Sequence, residues 1–152
     1  MTASLTKKGI AFYDRLVDAM LKRGIEPMIC LYHFDMPLNL AKNGNGFMSR
    51  HVVDAFVRYG KKMIEHFSDR VKYWITFNEH NLYFGDGAFL LAGCENVEKS
   101  LDNLYKIFHH TMLAHAELDA FVHENYDDVK FGGMLAYTPA YPAVFAYRKT
   151  CS

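Results

Sequence analysis

Apolar residues along this chain follow two different spacings, which predict six elements in the order helix, strand, helix, strand, helix, strand. A stripe with a period of three to four residues runs from Ile10 to Leu21 and ends at Lys22-Arg23-Gly24, where a glycine suits the end of a helix. Another such stripe runs from Leu101 to Val122. Between them, Ser49 is a suitable N-cap for a helix with the apolar positions Val52, Val53, Phe56, Val57, Gly60, Met63, Ile64 and Phe67.

Three continuous apolar runs separate or follow these helices and predict strands. They are Glu26 to Tyr32, Val71 to Phe77, and Val129 to Thr138, the last of which ends at Pro139. Strands joined by a crossover helix are parallel, and the crossover is right-handed. The chain is therefore expected to be an α/β protein with a parallel sheet, and Cys30, on the first strand, is expected to be buried.

Composition narrows the class of protein. Half of the 152 residues are hydrophobic and the formal net charge is zero, so no nucleic-acid partner is expected. No apolar run is long enough to span a membrane, and the N-terminus lacks the apolar core of a signal peptide. The three cysteines, Cys30, Cys94 and Cys151, are odd in number, which favours a reducing, cytoplasmic location. No pattern specifies an oligomeric state.

Polar side chains follow the first two predicted strands directly. His33 and Asp35 come after the first strand, and Asn78 and Glu79 come after the second. In an α/β barrel the catalytic residues lie at the C-terminal ends of the strands. Glu79 is therefore a candidate catalytic residue. The alternative is that Glu79 caps the following helix or pairs with an arginine.

Three ordered motifs carry a resemblance to a known family. They are Leu31-Tyr32-His33-Phe34-Asp35-Met36-Pro37, Asp69-Arg70-Val71-Lys72-Tyr73-Trp74 and Thr76-Phe77-Asn78-Glu79. With these motifs the chain resembles glycoside hydrolase family 1, the retaining β-glycosidases built on a (β/α)8 TIM barrel. The resemblance implies a partial barrel that spans about strands three to five. Since a complete barrel needs at least about 200 residues, residues 1–152 are expected to be a partial catalytic domain, incomplete at both ends.

The resemblance also implies a role for three residues. Glu79 corresponds to the family's general acid/base, Asn78 to the amide that binds the sugar 2-hydroxyl, and His33 to a histidine that bonds hydroxyls of the glycone. Cleavage of a glycosidic bond needs a carboxyl group that protonates the leaving oxygen and later deprotonates water. The expected partner is a small β-glycoside, with no cofactor.

Several departures from the commonest family pattern narrow the resemblance. Phe34 stands where many members have tryptophan, Gly46-Phe47 replaces Gly-Trp, and His80-Asn81 replaces the proline after the catalytic glutamate. These features resemble the bacterial 6-phospho-β-glucosidase branch, which implies hydrolysis of a phosphorylated sugar in the cytoplasm.

A second carboxylate is required about 5 Å from the first, and no residue here corresponds to the family's nucleophile. By the resemblance, Asp35 is a structural residue beside the glycone, although it is the first candidate for a second acid. Glu95-Asn96 follows no strand and is interpreted as a loop and the start of a helix. The isolated chain is therefore expected to be inactive. Residues 144–152 depart from the resemblance, as a frameshift or truncation would.

Other chemistry is not favoured by the sequence. His109, His110 and His115 lack a carboxylate at zinc-ligand spacing, so no metal site is expected. His110 is expected on the surface or the barrel wall, and His115 in the core with its polar atoms satisfied. A remaining alternative is a complete, small, flavodoxin-like protein that binds a ligand without catalysis, although no phosphate-binding loop follows the first strand.

Overall fold

The computed structural model describes residues 6–141 of the chain. Within them, the helices and strands occur in the order α1 (Lys7–Leu21), β1 (Met28–Tyr32), α2 (Leu38–Gly44), α3 (Arg50–Phe67), β2 (Tyr73–Phe77), α4 (Ala88–Leu91), α5 (Leu101–Asn125) and β3 (Lys130–Gly132). Two short 3₁₀ helices, Gly46–Met48 and His80–Phe84, lie in the connections after β1 and β2. The predicted alternation of long helices and strands is confirmed, and the short helices in the connections are additional.

The strands form one parallel sheet in which β2 lies between β1 and β3. Tyr32, at the end of β1, is paired with Phe77, at the end of β2. Each pair of neighbours is joined by a long crossover helix, α3 or α5, as parallel strands require. Because all the strands point the same way, the residues that follow β1 and β2 lie at one edge of the sheet.

Helices α3 and α5 pack against each other and against one face of the sheet. The apolar positions that the sequence predicted for α3 are all buried. A glycine makes the close approach possible, because a Cβ added at Gly60 would lie 2.7 Å from Leu118 Cδ1 and 3.2 Å from Leu31 Cδ1. The core therefore lies between these two helices and the sheet.

The opposite face of the sheet is partly uncovered within residues 6–141. Met28 and Tyr73, which are paired across β1 and β2, are 60% and 42% exposed. Cys30 lies on the same face as Met28, because side chains alternate along a strand, and it is half-buried. The prediction that Cys30 is buried is therefore wrong. In a closed barrel this face lines the packed interior.

The third strand is shorter than the sequence predicted. It comprises Lys130–Gly132 instead of Val129 to Thr138. Beyond Gly132 the chain bonds to the connection after β2, where the N–H of His80 donates to the carbonyl oxygen of Met134 at 2.8 Å. These groups satisfy the backbone that a longer strand would have used.

Two helix predictions were correct in position but not in detail. Ser49 occupies the N-cap of α3 with extended backbone, but its side chain makes no capping hydrogen bond. Val17 is the one buried residue of α1, whereas Leu16 is 43% exposed. The apolar stripe of α1 is thus mostly uncovered by the described residues.

Asn45 joins the connection after β1 to the connection after β2. Its Oδ1 accepts hydrogen bonds from the N–H groups of Glu95 at 3.1 Å and Asn96 at 3.3 Å, and its Nδ2 donates to the carbonyl oxygen of Asn96 at 3.2 Å. Gly46 packs so tightly on Ala92 that an added Cβ would overlap the Ala92 carbonyl oxygen. Glu95-Asn96 is therefore part of a loop, as predicted, but it does not start a helix, because α5 begins at Leu101 with Ser100 as its N-cap.

No helix in the described part of the chain has both the length and the apolar composition needed to cross a membrane.

Candidate active site

The three residues with predicted roles follow the ends of two neighbouring strands. His33 comes directly after β1, and Asn78 and Glu79 come directly after β2. The N–H of Asn78 donates to the carbonyl oxygen of Tyr32 at 2.9 Å, one residue beyond the pairing of Tyr32 with Phe77. The structure therefore brings all three residues to the same edge of the sheet.

These side chains differ in exposure. His33 is exposed, Glu79 is half-buried and Asn78 is buried, with 6% of its surface accessible. Within residues 6–141, the one fully buried side-chain polar atom that lacks a partner is the hydroxyl oxygen of Tyr83. Asn78 has no such atom, so its side-chain amide stays accessible although the residue as a whole is buried.

Both strand ends turn through a residue with left-handed backbone. Phe34 has a φ of 69° and Glu79 has a φ of 46°. Each lies two residues beyond the last paired residue of its strand, Tyr32 or Phe77. This conformation costs a residue with a Cβ roughly 1–2 kcal/mol, and such strain is concentrated at functional sites. The candidate acid/base therefore occupies one of two equivalent turning points.

Glu79 does not cap the helix that follows it. It precedes the 3₁₀ helix His80–Phe84, but its side chain makes no capping hydrogen bond. It also takes part in none of the ion pairs found within residues 6–141. The structure thus gives no support to a purely structural role for the carboxylate.

A buried histidine lies next to Glu79 in the chain. His80 is 7% exposed, and its Nε2 lies 3.1 Å from the hydroxyl oxygen of Thr111. That hydroxyl donates its hydrogen to the carbonyl oxygen of Phe108 at 3.0 Å, so Nε2 of His80 is the donor. Burial, and secondarily His115, lowers the pKa of His80 to about 4. The ring is therefore neutral at pH 7 and carries its hydrogen on Nε2.

Asn81 fastens the chain beyond β3 to the same 3₁₀ helix. Its Nδ2 donates to the carbonyl oxygen of Ala136 at 3.0 Å, and its Oδ1 accepts from the N–H of Ala136 at 2.9 Å. The side-chain amide thus takes the place of a strand partner. Together with the bond from His80 to Met134, it holds residues 134–136 beside the candidate site.

Two other histidines support the site from the helix side. Nδ1 of His115 lies 2.7 Å from the hydroxyl oxygen of Thr76, and burial lowers the pKa of His115. His115 is therefore a satisfied histidine facing the core, as predicted. His110 is buried and its Nδ1 donates to the carbonyl oxygen of Phe47 at 2.7 Å, so a surface position for His110 is wrong and a place in the packed wall is correct.

Other candidate chemistry can be placed as well. Asp35 is exposed and follows β1 at the same edge as His33. In the part of the chain that the structure describes, no group of three or more histidine, cysteine, aspartate or glutamate side chains could hold a metal ion. Cys151 and residues 144–152, which were expected to depart from the family pattern, lie outside the described residues.

The contacts of His80 were not found from the sequence, where it was noted only as a replacement for proline. Its partner Thr111 lies 31 residues away on α5. The available clue was that Thr111, a polar residue, occupies the apolar stripe of that helix and is fully buried. Such a residue needs a hydrogen-bond partner.

The site thus combines an amide and a carboxylate after β2 with a histidine after the neighbouring strand β1. Comparison with known families tests whether this arrangement belongs to a glycosidase. The family model of glycosyl hydrolase family 1 matches residues 1–150. The chain belongs to glycosyl hydrolase family 1. The match includes residues 144–150, which were expected to depart from the family pattern.

Individual relatives agree with this assignment. The chain is 37% identical over 138 residues to a 6-phospho-β-glucosidase of Clostridium longisporum, which covers 90% of this chain and 29% of the relative. It is 36% identical over 137 residues to β-glucosidase 1 of rice (Oryza sativa subsp. japonica), covering 86% of this chain and 27% of that enzyme. The family 1 chain thus spans less than a third of the length of these curated relatives.

The fold comparison gives the same result. A crystal structure of the rice β-glucosidase Os3BGlu6 superimposes with a TM-score of 0.78 and 31% sequence identity, over 88% of this chain and 31% of that one. The predicted fold class, a partial (β/α)8 barrel, is confirmed. The consecutive strand order β1-β2-β3 also differs from the doubly wound order of a flavodoxin-like protein, so that alternative is wrong.

Proposed function

We propose that the protein carrying this chain is a retaining β-glycosidase that hydrolyses 6-phospho-β-glucosides in carbohydrate catabolism. The observation that carries the proposal is the position of Asn78 and Glu79 at the end of β2, beside His33 at the end of β1. Family membership and the similarity to the Clostridium longisporum enzyme, which is named a 6-phospho-β-glucosidase, support it. The rice relative, which is named a β-glucosidase, is about as similar to this chain in sequence. The preference for a phosphorylated glucoside is therefore the more specific part of the proposal.

Glu79 acts as general acid and then as general base. In the first step its carboxyl group protonates the glycosidic oxygen while a second carboxylate attacks the anomeric carbon and forms a covalent glycosyl-enzyme. In the second step the Glu79 carboxylate removes a proton from water, which then releases the sugar. A half-buried side chain without a capping bond or ion pair to another described residue is suited to exchange a proton with a bound ligand.

Asn78 and His33 bind the sugar in this proposal. The Asn78 amide holds the 2-hydroxyl, a contact that strengthens as oxocarbenium character develops. Its backbone is fixed by the bond to the Tyr32 carbonyl, so the amide is presented without much loss of conformational entropy. His33, exposed at the neighbouring strand end, donates to or accepts from hydroxyls of the glycone.

This chain supplies the acid/base half of the site. We place residues 1–152 in a larger barrel domain, with the nucleophile outside this chain and the reaction in the cytoplasm, where sugars phosphorylated during uptake would be found. Asp35 keeps the structural role that the family resemblance implies. No step requires a cofactor.

The substrate is tested in the full-length enzyme that contains this segment, assayed on 4-nitrophenyl β-glucoside with and without a 6-phosphate. We expect a higher kcat/KM for the phosphorylated substrate. A higher value for the unphosphorylated glucoside would instead assign the enzyme to the β-glucosidases and contradict the proposed substrate.

The role of Glu79 is tested by Glu79→Gln in the same enzyme. Because glutamine keeps the shape but cannot transfer a proton, cleavage of poor leaving groups should fall by roughly 100- to 10,000-fold. Glycosides with acidic leaving groups should lose much less in the first step. The matched control is Glu95→Gln, at an exposed residue of the loop bonded to Asn45, which should leave kcat unchanged. Equal losses of kcat/KM for every leaving group in Glu79→Gln would exclude the acid/base role.

A further inference from the structure

We infer that His80 is a positioning residue for the Glu79 carboxylate, acting through a hydrogen bond to Thr111 that fixes the backbone directly after Glu79. This inference rests on the proposed function of Glu79 as acid/base.

The backbone on both sides of Glu79 is hydrogen-bonded. On the preceding side, the N–H of Asn78 is bound to the carbonyl oxygen of Tyr32 at 2.9 Å. On the following side, the N–H of His80 is bound to the carbonyl oxygen of Met134 at 2.8 Å. The left-handed conformation of Glu79, with φ 46° and ψ 53°, lies between these two fixed points. Surroundings that over-determine a strained residue are what allow the strain to persist.

The side chain of His80 provides the second constraint. Its Nε2 donates to the hydroxyl of Thr111 at 3.1 Å, and this hydroxyl can only accept because its hydrogen is directed to the Phe108 carbonyl. The ring also packs on Phe77, with centroids 4.8 Å apart, and meets the ring of Tyr83 edge-on at 5.7 Å. One ring rotamer satisfies the bond and both contacts, so rotation at His80 would break them together.

Thr111 binds His80, the residue that directly follows Glu79 in the chain. Thr111 lies on α5, a long helix that packs against α3 and carries its neighbour Phe108. A bond from this helix to the residue after Glu79 therefore ties the turning point to the rigid part of the fold. A proline would fix its own φ without partners, whereas His80 obtains the same restriction from its contacts.

The test uses the full-length enzyme with a series of aryl β-glycosides whose leaving groups differ in acidity. His80→Phe keeps the ring but removes the donor, Thr111→Val removes the acceptor at nearly constant shape, and His80→Gln keeps an N–H at a similar reach. The matched control is His109→Phe, the same replacement at an exposed histidine of α5.

For His80→Phe and Thr111→Val, we expect kcat on poor leaving groups to fall roughly 10- to 100-fold, the range caused by a misplacement of up to about 1 Å. The kcat/KM of substrates with good leaving groups should change little, because kcat/KM reports the first step and such groups leave with little help from a proton. His80→Gln should recover most of the loss and His109→Phe should show none. The double variant should be no slower than the worse single variant, since both remove one bond.

Losses of equal size in kcat/KM across the leaving-group series, or no loss, would overturn the positioning role and leave His80 as a packing residue. If His80→Phe does not fold, as judged by circular dichroism, Thr111→Val decides the question. Glu79→Gln measured on the same series separates the two proposals. Absence of leaving-group dependence there would overturn the proposed function itself, whereas its presence there and absence in Thr111→Val would overturn only this inference.

Discussion

Residues with a Cβ rarely adopt left-handed backbone, yet Phe34 and Glu79 both do so, with φ values of 69° and 46°. A glycine at either position would avoid roughly 1–2 kcal/mol of strain but would supply neither a ring nor a carboxylate. The strain at Glu79 is tolerated because both neighbours are held by main-chain hydrogen bonds. The side chain proposed for proton transfer is thus attached to backbone that is held by a main-chain hydrogen bond on each side.

Asn78→Ala in the full-length enzyme tests the amide at this turning point. Turnover of 2-hydroxy sugars should fall roughly 100-fold or more, because contacts to the 2-hydroxyl supply several kcal/mol in the transition state. Turnover of 2-deoxy analogues should be almost unaffected, since they never make the contact. Steady-state kinetics on both sugars give the comparison. Asn43→Ala, at an exposed asparagine of α2, is the control and should change neither; equal losses in Asn78→Ala would mean that the amide only supports the backbone.

The sequence could predict where the candidate site residues lie, because each directly follows a strand. An apolar run directly precedes His33 and likewise the pair Asn78 and Glu79. At the C-terminal end of a parallel strand, a polar side chain can contact a ligand. No local pattern marks His80, whose ring bond spans 31 residues to Thr111. The sequence also does not indicate the left-handed turns, because neither Phe34 nor Glu79 is a residue type typical of that conformation.

At the scale of elements, the contact between α3 and α5 depends on one missing side chain. A Cβ at Gly60 would lie 2.7 and 2.8 Å from the two terminal carbons of Leu118, which is fully buried. Glycine within a helix costs about 1 kcal/mol relative to alanine. That cost is outweighed by the close packing that the glycine permits between the two crossover helices.

Gly60→Ala should therefore destabilise the full-length protein by about 1 kcal/mol, since overpacking costs roughly 1–3 kcal/mol and the gain in helix propensity returns about 1 kcal/mol. In a Leu118→Ala background the same change should stabilise, because the new methyl group enters the space that Leu118 has vacated. Urea unfolding of the four proteins in this cycle measures the sign in each background. Destabilisation in both backgrounds would show that Leu31, whose Cδ1 lies 3.2 Å from the added Cβ, also excludes the methyl group.

Helices and strands were predicted well where the apolar residues follow a single spacing and the described chain provides elements that pack on them. The stripe of α3 was predicted residue by residue because both the sheet and α5 cover it. The stripe of α1 has the same period but few partners, so Leu16 is exposed. The third strand was predicted too long because β-type residues beyond Gly132 bond to His80 and Asn81 instead of a strand, and α2 and α4 are too short to show a period.

For the whole molecule, the partly open face of the sheet is the dominant feature. Met28 and Tyr73 expose 60% and 42% of their surface on that face, and β1 and β3 each have an edge with no strand partner among the described residues. Exposed apolar surface and unpaired strand edges favour association. The entropy of ordering, roughly 1–2 kcal/mol per residue for the backbone, must also be offset by a core with one well-covered sheet face.

The 152-residue chain, expressed alone, should therefore be marginally stable or aggregated and should show no β-glucosidase turnover above background. Analytical ultracentrifugation, thermal melting and a nitrophenyl glycoside assay check the three properties. A monomer that melts cooperatively and whose turnover is abolished by Glu79→Gln would contradict the expectation. Asp35 would then be the first residue to examine as a second carboxylate.

The hydrogen bonds of Asn45 couple the loop after β1 to the loop after β2, so the two loops would have to change together in evolution. Because Asn45 binds the backbone of Glu95 and Asn96, and Gly46 leaves no space beside Ala92, a change of length in either connection would displace the other. Loops at this edge of a barrel are where family members vary to accept different substrates. Exchange of the segment after β1 between relatives, whether by evolution or by engineering, should therefore succeed when the segment after β2 is transferred from the same parent.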